Sequence, residues 1–370
     1  MLNHLGQQLT NRCQRRLTSS PKSPFLARFI PFSDLTWAAL PLLALGMICN
    51  TAFGAPPAII TLSTNSSTAQ IQKALDALPP NGEVVLSAGT YEISQPLMLQ
   101  HDYQTLRGSG PATILHLADG ADCPVVVLGP PMTKTQHPAA HLRLANLRID
   151  GNRKNQKLEL WRTAGDGSEL NNNGVQIWNV TDAAVEHVVC CHCRSGGLVT
   201  AAVRRLQVND LDSYDNQFDG LACYQTEESR FDGLCLHDNL GAGMSLDLAF
   251  NHNFITNAVL AGNDLGLFMR DSRSNSFQGL TISKSHHDGV FMAQAAIPTA
   301  KGWQLCPDTQ CIGNNFQSLV VNDCGGKAFQ VNDASCTNNV IFGASFLRNI
   351  LGGLGQPSTN PVSLREVAER

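Results

Sequence analysis

Tyr224, Asp247 and Arg270 follow one another at intervals of 23 residues. A phenol, a carboxylate and a guanidinium set in one row suit proton transfer on a polymer of uronic acids. In a β-elimination a base removes the proton beside the carboxylate, a cation stabilises the charge that develops, and an acid helps the leaving oxygen. Arg270 can hold a substrate carboxylate by two hydrogen bonds, Asp247 can orient Arg270, and Tyr224 can serve as acid or base. The same interval brings an opposed Asp–Arg pair onto neighbouring strands. Such a pair also stabilises a sheet surface by about 0.2–1 kcal/mol without doing any chemistry.

The interval belongs to a repeat. GVQIW, GLVTA, GLACY, GMSLD, GLFMR and GVFMA begin at Gly174, Gly197, Gly220, Gly243, Gly266 and Gly289. Each word alternates like a short strand, and the period marks a stacked solenoid. A second word precedes each glycine, as FDGLCL from Phe231, FITNAV from Phe254 and FQGLTI from Phe277. Its apolar letters step by three and then two, which predicts a sharp bend between strand segments. The fold expected is all-β: a right-handed parallel β-helix with coils of about 23 residues, successive strands pairing in parallel about 4.8 Å apart. Leu221, Met244, Leu267 and Val290 form one inward column, with Cys223, Leu246, Met269 and Met292 beside it. We read the glycines as positions of tight turning into the strand, and Asn216 with Asn239 as a short asparagine ladder.

The outward letters are then Tyr224, Asp247 and Arg270 at the catalytic positions. Trp178, Gln225, Ser245, Phe268, Asp271 and His287 are the candidate substrate contacts along the same face. Two stretches exceed the period, around residues 150–173 and 295–311, and long loops on a regular scaffold carry function. Lys154, Lys157 and Arg162 in the first would add positive field over a groove. A hydrolase would need two carboxylates at a set separation, and Asp247 with Asp271 is the pair to test. A non-catalytic glycan-binding or surface-structural protein is the alternative of a different class.

The elements flanking the repeat are a helix over Ser67–Leu78, capping the open end of the stack, and a tail after Gly352 in which SLREVAER reads as a short helix. Upstream lies a basic lead and the apolar run WAALPLLALGMIC, then AFGA. This is the pattern of an export signal. It divides the chain into residues 1–54 as signal and lead, 55–355 as one β-helix domain and 356–370 as tail. It also implies a secreted or periplasmic location with no stable membrane span after cleavage. Five basic residues and one acid lie in the lead, so the remainder carries −8 against −4 for the whole chain. That charge, without any basic run interleaved with aromatics, excludes nucleic acid as an expected partner. We expect a monomer.

Cysteine is frequent, and an exported chain meets an oxidising compartment. Cys306 and Cys311 are the pair expected to bridge. CCHC at Cys190–Cys193 lacks the spacing of a closed tetrahedral site, so no metal ligand is assigned and buried or paired cysteine is the reading kept. NDLDSYDNQFDG, from Asn209 to Gly220, is rich in Asp and makes calcium a possible cofactor, without the ligand spacing of an EF-hand.

The segment IQKALDALPPNGEVVLSAGTYEISQPLMLQHDYQTLRGSGPATIL, followed by LANLRIDGN, resembles the start of the pectate-lyase-like β-helix superfamily. The repeats after Gly174 are similar to its parallel β-helix repeat. The resemblance covers roughly residues 65–355. It implies a polysaccharide partner, most specifically a uronate-polymer lyase in which Arg270 acts as the base, as an arginine does in pectate lyases, and in which calcium assists. The paired-Asp and Gly-His-Gly signature of polygalacturonase-like hydrolases and the Asp-Pro-His motif of alginate epimerases are not found.

Overall fold

The computed structural model describes residues 58–130, 137–157, 172–299, 302–358 and 362–369. The segment expected to be an export signal, residues 1–54, and Arg162 lie outside these residues. The chain winds into a parallel β-solenoid of about 12 coils. Thr68–Asp76 is its α-helix, and Ser67 caps it through a full capping box with Gln70. Ile71 and Leu75 face the first coils and are fully buried, so the helix closes the apolar end of the stack.

Each coil contributes to two large sheets. The glycine words form strands such as Leu221–Glu227, Ala242–Asp247 and Leu265–Arg270. They pair in parallel with Leu221 on Met244, Met244 on Leu267 and Leu267 on Val290. The Cys223, Leu246, Met269 and Met292 column is in register beside it. All these side chains are buried in one continuous core.

The second words form bent eight-residue strands, including Arg143–Asp150, Ala184–Cys191, Gln207–Tyr214 and Arg230–His237. The bend is a column of left-handed residues: Asn146, His187, Asp210, Gly233, Asn257 and Gly279, with φ between 52° and 68°. Asn, Asp, His and Gly tolerate that conformation best. This is the physical content of the three-then-two step in the sequence.

Three expectations are corrected. The glycines of the repeated word are not in left-handed turns. A Cβ on Gly243 would lie 2.7 Å from Asn263 Nδ2 and 3.0 Å from the Gly266 carbonyl, so glycine is required by the close approach of the next coil. SLREVAER does not form a helix. Val362–Arg365 and Ala368–Glu369 are strands that pair with Asn339–Phe342 and Ser345–Leu347, because an open coil edge offers unpaired backbone groups for them. Cys311 carries a free thiol and does not bridge to Cys306; it lies beside Cys336, also free.

The asparagine ladder is longer than expected and is doubled. Asn216, Asn239 and Asn263 form one run, each Oδ1 accepting from the backbone N–H or side-chain amide of the preceding coil. Asn253, Asn275, Asn314 and Asn339 form a second on another corner.

Candidate functional site

On the glycine-strand face the register brings the expected row together. Tyr224 is the strand partner of Asp247, and Asp247 Oδ2 accepts from Arg270 Nη2 at 2.5 Å and from Nε at 3.1 Å. Asp247 Oδ1 accepts from the Leu248 amide. The Arg270 guanidinium stands 5.0 Å from the centre of the Phe268 ring, a cation–π contact, and Phe268 stacks on Phe291 at 5.8 Å.

The surprise is burial. Tyr224, Asp247 and Arg270 are 3%, 0% and 6% exposed. Phe218, Leu248, Ala295 and Cys306 pack with Tyr224 in a second apolar cluster outside the solenoid core. Burial is also the main cause that pushes the Tyr224 phenol well above its ordinary value. The row is therefore not the floor of an open groove.

The candidate contacts sort the same way. Trp178 is buried with its indole N–H donating to the Gly129 carbonyl at 3.0 Å. Ser245 and Asp271 are buried, and Asp271 occupies a left-handed turn whose N–H donates to Thr309 O. Gln225 is half-buried at a left-handed turn. His287 is exposed, with Nδ1 2.9 Å from Asp264 Oδ1. Lys154 lies elsewhere, in a cleft beside Asp150 and His192.

Sequence reading missed Asp219 in this cluster. Its Oδ1 accepts from the Ala242 N–H at 2.7 Å, while Oδ2 is buried without a well-aligned donor. Burial pushes this carboxyl up to about 7, against hydrogen bonds from Ala242 and Ser245, with Asp264 adding to the rise. Asp210 and Asp215 from the same Asp-rich stretch point to other partners, His187 at 3.0 Å and Arg153 at 2.7 Å. The stretch thus forms no common oxygen cage for calcium among these groups.

A second outer face holds a denser set of donors. Alternation along the bent strands sends Cys190 into the core and Cys191 outward, while His192 takes the left-handed turn that follows. The four letters of CCHC therefore do not converge. Cys191 and His192 instead meet Asp150, the strand partner of Cys191 one coil away. One donor atom from each lies within 4.8 Å of the others. His192 Nδ1 is 3.2 Å from Asp150 Oδ1, and His192 Nε2 is 3.5 Å from Asp215 Oδ2. His116 Nδ1 approaches Asp150 Oδ2 at 3.4 Å.

Arg148 Nη2 donates to Cys191 Sγ at 3.3 Å. Burial raises the Cys191 thiol and this contact works against the rise. A cleft of about 190 Å³ opens here, lined by His116, Asp150, Arg153, Lys154, His192 and Asp215. Thiol, imidazole and carboxylate in one cluster form a donor set for a borderline or soft metal ion. The signal was in the sequence: Cys191, Tyr214 and His237 share the 23-residue interval, but on the second word rather than the glycine word.

The fold defines a class, a parallel β-solenoid, and on this face a thiol, an imidazole and a carboxylate stand side by side. The family model described as periplasmic copper-binding protein (NosD) matches residues 146–356, more than half of the chain, and the chain belongs to the NosD family. No curated protein matches it by sequence. Among solved structures it is similar to ORF18 of Geobacillus virus E2, with 15% identity, a TM-score of 0.60, and coverage of 84% of this chain and 59% of that one. It is also similar to the enzymatically active domain of tailspike protein 2 of bacteriophage CBA120, with 12% identity, a TM-score of 0.55, and coverage of 84% and 47%. The catalytic domain of a GH87 α-1,3-glucanase gives 13% identity, a TM-score of 0.54, and coverage of 85% and 60%. The chain thus spans less than two thirds of each of these, and at such identities the likeness is one of fold. Among the described residues no helix is long and apolar enough to cross a membrane.

Proposed function

We propose that this protein is exported, with residues 1–54 as signal and lead, and that it binds a metal ion of the copper class at Asp150, Cys191 and His192. The observation that carries the reading is the meeting of these three side chains, from two coils, with donor atoms within 4.8 Å. The description of the NosD family as periplasmic and copper-binding supports it. Thiolate and imidazole together suit copper(I) or zinc, whereas calcium and magnesium ask for oxygen alone. Bound there, the ion would supply a charge that Asp150 and Asp215 balance. Arg148, already touching Cys191 Sγ, favours the thiolate that a metal requires. His116 is close enough to Asp150 to fix the carboxylate from its far side.

The test is equilibrium binding of copper(I), under reducing conditions, to the purified chain and to Cys191→Ser. Loss of at least tenfold in affinity in the variant supports the reading. Unchanged binding refutes it.

A second reading, action on a polysaccharide at the glycine-strand face, is favoured by one observation. Asp219, raised to about 7, stands in the same row system as Asp247, which is held in an ion pair by Arg270. Two carboxyl groups in such contrasting environments suit an acid and a base. Tyr224, Asp247 and Arg270 would serve a uronate lyase, and a substrate would have to displace the packing of Phe218 and Leu248 over Tyr224. Incubation with pectins, alginates and neutral glycans, read by product mass, tests it. Unsaturated oligosaccharides lost in Arg270→Ala would establish the lyase, products heavier by one water would establish a hydrolase, and intact glycans across the panel would count against both.

A further inference from the structure

Asp212, Cys235 and His237 form another cluster, on the next two coils of the solenoid. Asp212 and Cys235 are strand partners, as are Tyr214 and His237. One donor atom from each of the three lies within 4.8 Å of the others. We propose that they constitute a second site for the same class of soft metal ion, open to solvent where the first is partly covered.

Three observations carry this. The first is an orphaned oxygen: Asp212 Oδ1 is inaccessible to solvent and accepts no hydrogen bond. His237 Nε2 stands 3.4 Å from it. The second is how that imidazole is held. His237 Nδ1 sits 2.7 Å from Asp238 Oδ2, which leaves Nε2 turned toward Asp212 Oδ1. A carboxylate holding the far nitrogen of a ligand histidine is also the usual support of a metal-bound imidazole. The third is positioning: the His237 ring stacks on Tyr214 at 4.9 Å and 14°, which fixes its plane.

Cys235 supplies what a proton-bridged Asp–His pair would not need. It is exposed, on the same outer face, and completes a sulfur, nitrogen and oxygen set. On binding, the Cys235 S–H bond breaks, its proton passes to solvent and a metal–sulfur bond forms. No oxidant or reductant is involved. Cys191 is buried and Cys235 exposed, so the second site should exchange its ion faster than the first. The nature of the ion rests on the reading of the first cluster; the existence of the second site does not.

The test is a stoichiometry. The full chain, reduced and anaerobic, is titrated with copper(I) against a chromophoric competing chelator. A parallel titration with cobalt(II) reads the thiolate charge-transfer band. Two equivalents are expected for the unaltered chain and one each for Cys235→Ser, His237→Gln and Cys191→Ser, with circular dichroism confirming the fold. The ion remaining in Cys191→Ser should be the faster one to pass to added chelator. If the unaltered chain saturates at one equivalent and Cys235→Ser leaves it unchanged, the second site is refuted. If Cys191→Ser still binds two equivalents while Cys235→Ser binds one, the second site stands and the first falls. Retention of both equivalents in all variants, or no binding at all, overturns both.

Discussion

Asp247 and Arg270 occupy the ends of strands on adjacent coils, and one carboxylate oxygen takes two hydrogen bonds from one guanidinium, with both side chains almost wholly removed from water. This is a buried ion pair rather than a displayed one, and its energetics differ accordingly. The desolvation of two charges is offset only while both partners remain.

Removing one partner should therefore be costly. Asp247→Ala is expected to lower unfolding free energy by about 3–5 kcal/mol, since it strands a buried guanidinium. Replacing the pair together, as Asp247→Leu with Arg270→Met, should recover most of that loss. Denaturant unfolding of the two variants checks this. A cost below about 1 kcal/mol for Asp247→Ala, the value of an exposed pair, would contradict the buried description.

Asn275 occupies the interior of the longer asparagine ladder. Its Oδ1 accepts from the Asn253 amides, and its Nδ2 donates to Phe250 O and to Asn314 Oδ1. Asn275→Ala removes a hydrogen bond from each of three other residues and takes away the acceptor of the buried Asn253 backbone N–H, at about 1–3 kcal/mol for each group left unsatisfied. A loss of about 3 kcal/mol is expected, visible as a lower unfolding midpoint. A loss under about 0.5 kcal/mol would mean that the ladder is incidental.

The two kinds of glycine should respond differently. A Cβ at Gly266 would come within 2.3 Å of the Gly289 carbonyl and of Ile282 Cγ2, so Gly266→Ala should cost about 1–3 kcal/mol through overpacking. Gly279 has φ +68° and only ordinary contacts around it, in a column that elsewhere holds Asn257 and Asp210. Gly279→Asn should change stability by less than about 0.5 kcal/mol. Equal losses in the two variants would overturn this distinction.

Asp219 sets a pH dependence with an unusual sign. Its native carboxyl is raised from 3.8 to about 7, chiefly by burial. Between those values the native state keeps a proton that the unfolded chain has lost. Stability is thus full below the unfolded value, falls as pH rises through the window and levels off above about 7. The span corresponds to a loss on the order of 4 kcal/mol. Asp219→Asn should flatten this part of the profile and stabilise the protein at neutral pH. A decline over the same window that persists unchanged in the variant would show that another group is responsible.

The solenoid was legible because its signal is redundant: six glycines in one register, two apolar columns and a three-then-two step each point to the same coil. The row of Tyr224, Asp247 and Arg270 was legible for the same reason, since register follows from period. What could not be read was what covers that row. Alternation says that a side chain leaves the core, not that it reaches water, and Phe218, Leu248 and Ala295 come from turns and from beyond the last glycine strand. Asp219 was missed because it precedes its glycine and looked like a turn residue. Cys191 and His192 read as sequence neighbours, although the partner they share, Asp150, lies 41 positions before Cys191 and beyond an over-long stretch that breaks the period.

The stacking of the bent strands acts as a ruler with one fixed graduation. Donors directly above one another in a column are about 4.8 Å apart, whereas four ligands around an ion at about 2.0–2.3 Å stand closer together than that. A straight column therefore spaces groups too widely to enclose an ion. In both clusters a sideways step makes up the difference. His192 comes from the turn rather than the strand, and His237 stands in the column beside the one that Asp212 and Cys235 share. Adding or deleting whole 23-residue coils elsewhere would carry these clusters along intact, while a single inserted residue between Cys235 and His237 would turn one ligand inward and dismantle the second cluster without disturbing the stack beyond that coil.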